Sequence, residues 1–264
     1  MRHFKLFLKN ENAVPELTAY LRDDPLEKGR AFPAVLICPG GAYERCSPRE
    51  AEPIAVRYIA AGFHAFVLNY STGKAARFPT ALEELCGALA LIRQNAGDWR
   101  VDPGKIAVLG FSAGGHLAGS LGVFWNTPEF RRADALNKPN ALILCYPVVS
   151  SGAAAHTRSF DNLCGGDSQL RERVSLEKRV NGDVPPTFLW HTAEDASVPV
   201  ANSLCLAQAL DAGGIPFEFH VFQRGQHGIS MANAEVCDPI PEVGKYLPEW
   251  LNMSVDWLKT VFAD

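Results

Sequence analysis

The chain has 264 residues, of which 47% are hydrophobic and 20% are charged, a balance typical of globular proteins and not of disordered or fibrous ones. Its 25 basic and 29 acidic side chains give a net charge of −4, which argues against a nucleic-acid-binding surface. The apolar runs are far shorter than the roughly 20 residues of a membrane helix, and no signal peptide is recognisable. We therefore expect a single cytoplasmic domain over residues 1–264, with no membrane or nucleic-acid partner.

The seven cysteines include no Cys-x-x-Cys pair. An odd number of cysteines, several of them inside apolar patterns, is typical of free thiols in a reducing compartment. No pair of residues has the spacing of zinc ligands, so the sequence predicts neither a metal site nor a cofactor.

Short, nearly continuous apolar runs alternate along the chain with helical patterns. Such runs are typical of strands that are buried on both faces of a parallel sheet. Two early runs predict an N-terminal hairpin, and the last run alternates, which indicates a strand near a sheet edge. In chain order the predicted strands are 4–8, 17–21, 34–38, 63–68, 106–109, 141–145, 187–190 and 217–222.

Between the strands, apolar residues step by three and four, which predicts amphipathic helices. Two helix starts carry the spacing of a capping box, Thr80 with Glu83 and Ser47 with Glu50. Pro53 indicates that the helix after Ser47 kinks or starts later. The predicted helices lie within 47–62, 80–92, 115–123, 204–210 and 244–262. This order predicts a mostly parallel sheet of about eight strands, covered by helices on both faces, with an irregular insertion at 148–186 as the place for a small cap or lid.

The sharpest motif is Gly-x-Ser-x-Gly at residues 110–114, with Ser112 at its centre. It follows the strand 106–109 and precedes the helix 115–123, the strand–turn–helix setting of a nucleophilic serine. So tight a turn strains the backbone of Ser112, leaves no room for a Cβ two residues to either side, and exposes the hydroxyl. A glycine-rich turn with an incidental serine is the less favoured interpretation, and the glycines fit no dinucleotide or phosphate-loop pattern.

A serine nucleophile needs a base, and the base needs an acid that orients it. In this setting the acid and then the histidine follow the serine, each at the end of a later strand. Asp195, after the strand 187–190, is favoured over the adjacent Glu194 as the acid. Of the seven histidines, only His227 lies in a glycine-flanked loop after the last strand, and it is the predicted base. His191 is expected to brace the loop that carries the acid.

Acyl chemistry also needs donors that are aimed at an oxyanion. The strand 34–38 runs into Gly40 and Gly41, where the backbone can approach a substrate closely. The N–H of Ala113 would be one donor, and Gly41, with Gly40 or Ala42 as further candidates, would supply the other. A plain tight turn is the alternative interpretation of the two glycines.

The chain resembles the α/β-hydrolase fold, and within it esterases near the hormone-sensitive-lipase and acetylxylan-esterase groups. Four linked segments, 39–43, 102–118, 185–199 and 225–228, carry this resemblance, which extends from about Phe32 to Leu258. It implies Ser112 as nucleophile, Asp195 as acid and His227 as base. The lipase group carries a His-Gly-Gly-Gly segment; this chain has Pro39 at the histidine position and Ala42 at the position of the last glycine. The resulting Pro-Gly-Gly form is more similar to the small acetyl esterases.

The function that the resemblance implies is a serine carboxylesterase for short acyl groups, with acetylated oligosaccharide such as xylan fragments as the expected substrate. An arylformamidase or a small peptidase would use the same three residues, and a non-catalytic binding protein is a third, less favoured interpretation. Ala42 and Tyr43 are candidate substrate contacts, although Tyr43 could simply pack. The tryptophans could form a sugar platform, but core packing is the favoured interpretation for all five, Trp99, Trp125, Trp190, Trp250 and Trp257.

Overall fold

The computed structural model describes residues 1–8, 14–26 and 28–263, and eight strands within them form one sheet. The strand order is β1-β2-β4-β3-β5-β6-β7-β8. The first two pairings are antiparallel and the other five are parallel, so the predicted mostly parallel sheet is confirmed. The strands are β1 (Arg2–Phe7), β2 (Glu16–Leu21), β3 (Phe32–Cys38), β4 (His64–Asn69), β5 (Val101–Phe111), β6 (Ala141–Cys145), β7 (Thr187–Thr192) and β8 (Phe217–Phe222).

Helices cover both faces of the sheet. The helices are α1 (Glu52–Ala61), α2 (Thr80–Gln94), α3 (Ala96–Trp99), α4 (Ser112–Phe124), α5 (Thr157–Cys164), α6 (Ser168–Arg173), α7 (Ala201–Ala212) and α8 (Trp250–Val261). Buried residues of α2, α4 and α7 pack on one face, and those of α1 and α8 pack on the other. In β3, Leu36 faces the first group while Val35 and Ile37 face the second, which explains why the run is continuously apolar.

The predicted hairpin and edge strand are also confirmed. Among the described strands, β1 pairs with β2 alone, and Phe4 lies opposite Ala19. β8 is the last strand of the sheet, and Val221 on it is 47% exposed. A strand that lacks a neighbour on one side is covered less completely, and no residue of β8 is fully buried.

Neither predicted capping box forms. α2 starts at Thr80 itself, Pro79 occupies the cap position, and no side chain caps the helix. Ser47 precedes a 3-10 turn, Pro48–Glu50, which it does not cap either. α1 begins later, with Pro53 in its first turn, as the proline indicated.

The segment 148–186 is more regular than predicted, because it contains α5 and α6. It packs beside the carboxyl ends of the strands: the side chain of Asn162 donates to the carbonyl oxygen of Ala42 at 2.8 Å. Its role as a lid, and the assignment of residues 1–264 to a single domain, stay predictions.

Candidate active site

Ser112 lies at a sharp turn between β5 and α4, and its φ of 53° is in the left-handed region. A side chain in that region is strained, as the motif predicted. The two glycines of the motif are sterically required. A Cβ on Gly110 would lie 2.1 Å from the carbonyl oxygen of Gly114, and one on Gly114 would lie 2.2 Å from that of Cys38.

The three residues expected to act together lie in direct contact. Ser112 Oγ is 2.8 Å from His227 Nε2, and His227 Nδ1 is 2.6 Å from Asp195 Oδ2. Since the carboxylate can only accept, His227 donates from Nδ1, which leaves Nε2 to accept from the serine hydroxyl. The arrangement therefore places a base on the serine and an acid on the base.

The carboxylate that contacts His227 is that of Asp195 and not that of Glu194. Burial alone would raise the pKa of Asp195, but the adjacent side chains of His191 and His227 and the Val198 amide hold it well below its usual value, so the group is an anion. Glu194 instead accepts from the Gly225 amide at 3.3 Å.

His191 braces the acid loop, as expected. Its Nε2 donates to the carbonyl oxygen of Val198 at 2.8 Å and faces Asp195 Oδ2 at 3.3 Å. Its Nδ1 accepts from Ser203 Oγ at 2.7 Å. The ring is fully buried, so these contacts fix the loop from the inside.

The loop after β3, residues 39–43, lies against the nucleophile turn, but its two glycines differ. The Gly40 amide donates to Glu50 Oε2 at 2.8 Å, so Gly40 is not available as an oxyanion donor and that expectation is corrected. Gly41 has a φ of 130°, and a Cβ there would lie 2.1 Å from the carbonyl oxygen of Arg45. Ala113, in the first turn of α4, belongs to the amides that lack an intrahelical acceptor.

Tyr43 is not placed to contact a substrate through its hydroxyl. The side chain is 1% exposed, and its O–H donates to His116 Nδ1 at 2.7 Å. His116 Nε2 in turn donates to the carbonyl oxygen of Val174 at 2.8 Å. Tyr43 is therefore a packing residue that ties the loop 39–43 to α4, while Ala42 lines the cavity above Ser112.

The cavity above Ser112 has a volume of about 300 Å³, and a second cavity of about 420 Å³ adjoins it beyond His227. Arg49, His227 and Gly228 line both. Charged and hydroxyl side chains dominate the lining of the first cavity, and no tryptophan contributes to either lining. Four of the tryptophans are at most 9% exposed and pack in the core, namely Trp99, Trp125, Trp190 and Trp250.

Within the described residues, all seven cysteines are free thiols. No group of three or more histidine, cysteine or acidic side chains in this part of the chain could hold a metal ion. None of the helices described is both long and apolar enough to cross a membrane.

The sequence analysis did not identify three residues that lie near Ser112: Glu50, Tyr146 and His156. Glu50, 2% exposed, has the spacing of a capping box with Ser47, but its carboxylate accepts from the Gly40 amide and from the Tyr146 hydroxyl. The ring of His156 stacks on that of His227 with centroids 6.4 Å apart. No local pattern marks these residues, because their partners come from distant parts of the chain.

Fold and site together define the chain as an α/β hydrolase: a mostly parallel sheet, a serine at the sharp turn after β5, and a histidine and an acid at the ends of later strands. Comparison with known families gives the narrower assignment. The chain belongs to the BD-FAE family, whose model matches residues 23–210.

Relatives of known name agree with this assignment. A Butyrivibrio fibrisolvens protein named endo-1,4-beta-xylanase B is 39% identical over 232 residues, which are 84% of this chain and 36% of that protein. An acetylxylan esterase from Xylanibacter ruminicola is 26% identical over 99% of this chain and 51% of its own length. The chain thus spans about a third to a half of these relatives. The crystal structure of an acetyl ester-xyloside bifunctional hydrolase from Caldicellulosiruptor lactoaceticus aligns with a TM-score of 0.84 at 35% identity, over 96% of this chain and 90% of that one.

Proposed function

We propose that the protein is a serine carboxylesterase that removes short acyl groups, acetyl above all, from carbohydrate. The observation that carries the proposal is the hydrogen-bonded series Ser112–His227–Asp195 at the floor of an open, polar cavity. The names of the acetylxylan esterase and of the acetyl ester-xyloside hydrolase support the same reaction class.

In the first half of the reaction, Ser112 Oγ attacks the ester carbonyl while His227 Nε2 takes the hydroxyl proton. Asp195 keeps the imidazole in the required tautomer and stabilises the imidazolium that forms. The N–H groups of Gly41 and Ala113 donate to the tetrahedral oxyanion. His227 then gives its proton to the departing alcohol oxygen, and the acyl group stays on Ser112.

In the second half, water attacks the acyl-enzyme and His227 takes a proton from it. The tetrahedral intermediate collapses, the carboxylic acid leaves, and the proton returns to Ser112 Oγ. The chemistry uses protein groups only.

The preference for short acyl groups follows from the lining of the cavity above Ser112. A long acyl chain needs an apolar channel. Here polar side chains surround the nucleophile instead, among them Arg45, Ser47, His156 and Ser197. The adjoining cavity beyond His227 gives room for a large polar alcohol, which suits a sugar hydroxyl better than a lipid.

The test is an acyl-length series of p-nitrophenyl acetate, butyrate and octanoate, with Ser112→Ala as the variant and Ser254→Ala as its control. Ser254 is also a buried serine, but it bonds to Tyr58 on the other face of the sheet. We expect acetate to be cleaved fastest, Ser112→Ala to abolish cleavage, and Ser254→Ala to preserve it. Acetate release from acetylated xylo-oligosaccharides then tests the carbohydrate.

Faster cleavage of the octanoate would refute the short-chain preference, and full activity of Ser112→Ala would refute the nucleophile. Failure to release acetate from the oligosaccharides would refute the carbohydrate part alone.

A further inference from the structure

Glu50 is a buried carboxylate that the mechanism above does not use. It ends the 3-10 turn that follows the loop 39–43, and it is 2% exposed. Its two oxygens have different partners. Oε2 accepts from the Gly40 amide at 2.8 Å, and Oε1 accepts from the Tyr146 hydroxyl at 2.6 Å.

Tyr146 extends this connection to the loop that carries the base, residues 223–230. Its hydroxyl oxygen accepts from the Ser230 amide at 3.0 Å, and the edge of its ring meets the imidazole of His227 with centroids 5.2 Å apart. Trp250 Nε1 donates to the carbonyl oxygen of Ser230 at 3.0 Å. His227 thus contacts the ring of Tyr146, and Ser230, three residues further along the same loop, is anchored at both its N–H and its carbonyl oxygen.

The other end of the connection lies directly against the nucleophile. A Cβ on Gly40 would be 2.8 Å from Glu50 Oε2, 2.9 Å from the carbonyl oxygen of Phe111 and 3.0 Å from Ser112 Cβ. Gly40 is therefore confined between the carboxylate and the nucleophile turn. A displacement of Gly40 would move Gly41, the next residue and the proposed oxyanion donor.

We propose that Glu50 is a positioning residue that fixes two loops relative to Ser112 at once, the oxyanion-donor loop 39–43 and the histidine loop 223–230. The inference rests on the proposed function. The carboxylate contacts no reacting atom; it acts through the Gly40 amide on one side and through Tyr146 on the other. A carboxylate offers two acceptor oxygens and no donor, so each of the two donors has an oxygen of its own, which explains a buried acid at this point.

Burial raises the pKa of Glu50, while the hydrogen bonds from Tyr146 and from the Gly40 amide lower it in part. Two donors directed at one carboxyl group favour its ionised form. A glutamine would keep one acceptor oxygen and turn an NH₂ group, a donor, toward the other partner. Glu50→Gln therefore breaks one arm of the connection at nearly constant volume.

The experiment compares Glu50→Gln, Tyr146→Phe and the double variant with the wild type on p-nitrophenyl acetate. We expect each single variant to lower kcat roughly 10- to 100-fold with KM within about twofold, because the lost alignment acts in the transition state. If the two residues belong to one connection, the double variant should be no slower than the slower single variant. The rate of covalent labelling of Ser112 by a fluorophosphonate should fall in parallel.

Asp24→Asn is the matched control. Asp24 is also a buried carboxylate that accepts from backbone amides, those of Lys28 and Arg30, but it lies beyond β2 at the end of the sheet opposite to Ser112. We expect this control to lower the melting temperature and to leave kcat unchanged.

A kcat of Glu50→Gln within about twofold of wild type would overturn the inference, as would losses that multiply in the double variant. A loss of kcat in Asp24→Asn equal to that in Glu50→Gln would reduce Glu50 to a stability residue and overturn it too. A wild type that neither cleaves esters nor labels at Ser112 would instead overturn the proposed function.

Discussion

His116 gives a prediction whose size can be calculated from its surroundings. The imidazole is fully buried in α4, accepts from Tyr43 at Nδ1 and donates to Val174 at Nε2. It thus ties the loop 39–43 and the segment 148–186 to the nucleophile helix, and it does so as a neutral ring. Burial lowers the pKa of His116 from 6.5 to about 4.

The lowered pKa makes the stability of the fold depend on pH. Between pH 6.5 and 4 the unfolded chain binds a proton at this position and the folded chain does not. Protons therefore favour the unfolded state, so this contribution to stability is complete above the unfolded pKa and is lost as pH falls toward the folded one. From pH 7.5 to pH 5 the loss from this one residue amounts to about 2 kcal/mol in the free energy of unfolding.

The assay is urea unfolding of the wild type and of His116→Gln at pH 7.5 and pH 5. Glutamine keeps an acceptor and a donor but does not titrate. The variant will be less stable at both pH values, but its loss between them should be about 2 kcal/mol smaller than that of the wild type. His64, whose pKa burial also lowers to about 4, is present in both proteins and cancels in the comparison. Equal losses in the two proteins would refute the reasoning.

Three further predictions concern the site. Asp195→Asn should lower kcat on p-nitrophenyl acetate by about 10³- to 10⁴-fold through the wrong tautomer of His227, whereas Glu194→Gln should keep most of the activity. Gly114→Ala should lower the free energy of unfolding in urea by about 3 kcal/mol, because the new Cβ would lie 2.2 Å from a carbonyl oxygen. The control Gly87→Ala in α2, where the Cβ meets open space, should leave that free energy unchanged or raise it. Because the proposed chemistry uses protein groups alone, dialysis against EDTA should leave the rate of p-nitrophenyl acetate hydrolysis unchanged; a loss restored by added metal would contradict it.

Where the sequence predicted the fold well, the signal was local. A strand such as β6 is buried on both faces over all five residues, so an uninterrupted apolar run suffices to identify it. β5 shows the opposite case. It begins at Val101, five residues before the predicted strand, and residues 102–105 fall between its pairings with Phe32 and with Ala34 of β3, where the register shifts. That irregularity depends on the partner strand, which a single segment does not encode.

The residues of the candidate site also fall into two groups, those with a local sequence signal and those without one. Ser112 was predictable because the strained turn demands glycines on both sides, and Asp195 and His227 were predictable because parallel strands deliver their carboxyl ends to one edge. Glu50 was not, because it matches a capping spacing with Ser47 and its real partner, Tyr146, is 96 residues away. If Glu50 capped the turn instead, the Gly40 amide and the Tyr146 hydroxyl would each lose a hydrogen bond in the interior. That loss costs more free energy than leaving the turn at Ser47 uncapped.

The loop 39–43 shows why a pair of adjacent glycines does not identify an oxyanion donor. Pro39 has no N–H, and its carbonyl oxygen accepts from the Tyr70 hydroxyl at 2.7 Å. The Gly40 amide donates to Glu50, and the carbonyl oxygen of Ala42 accepts from Asn162. These bonds anchor the residues on both sides of Gly41, whose own carbonyl oxygen accepts from the Glu44 amide at 2.9 Å. An oxyanion donor needs a fixed position and an N–H that is left for the substrate. The side chains that fix this loop, those of Glu50, Tyr70 and Asn162, come from three separate parts of the chain.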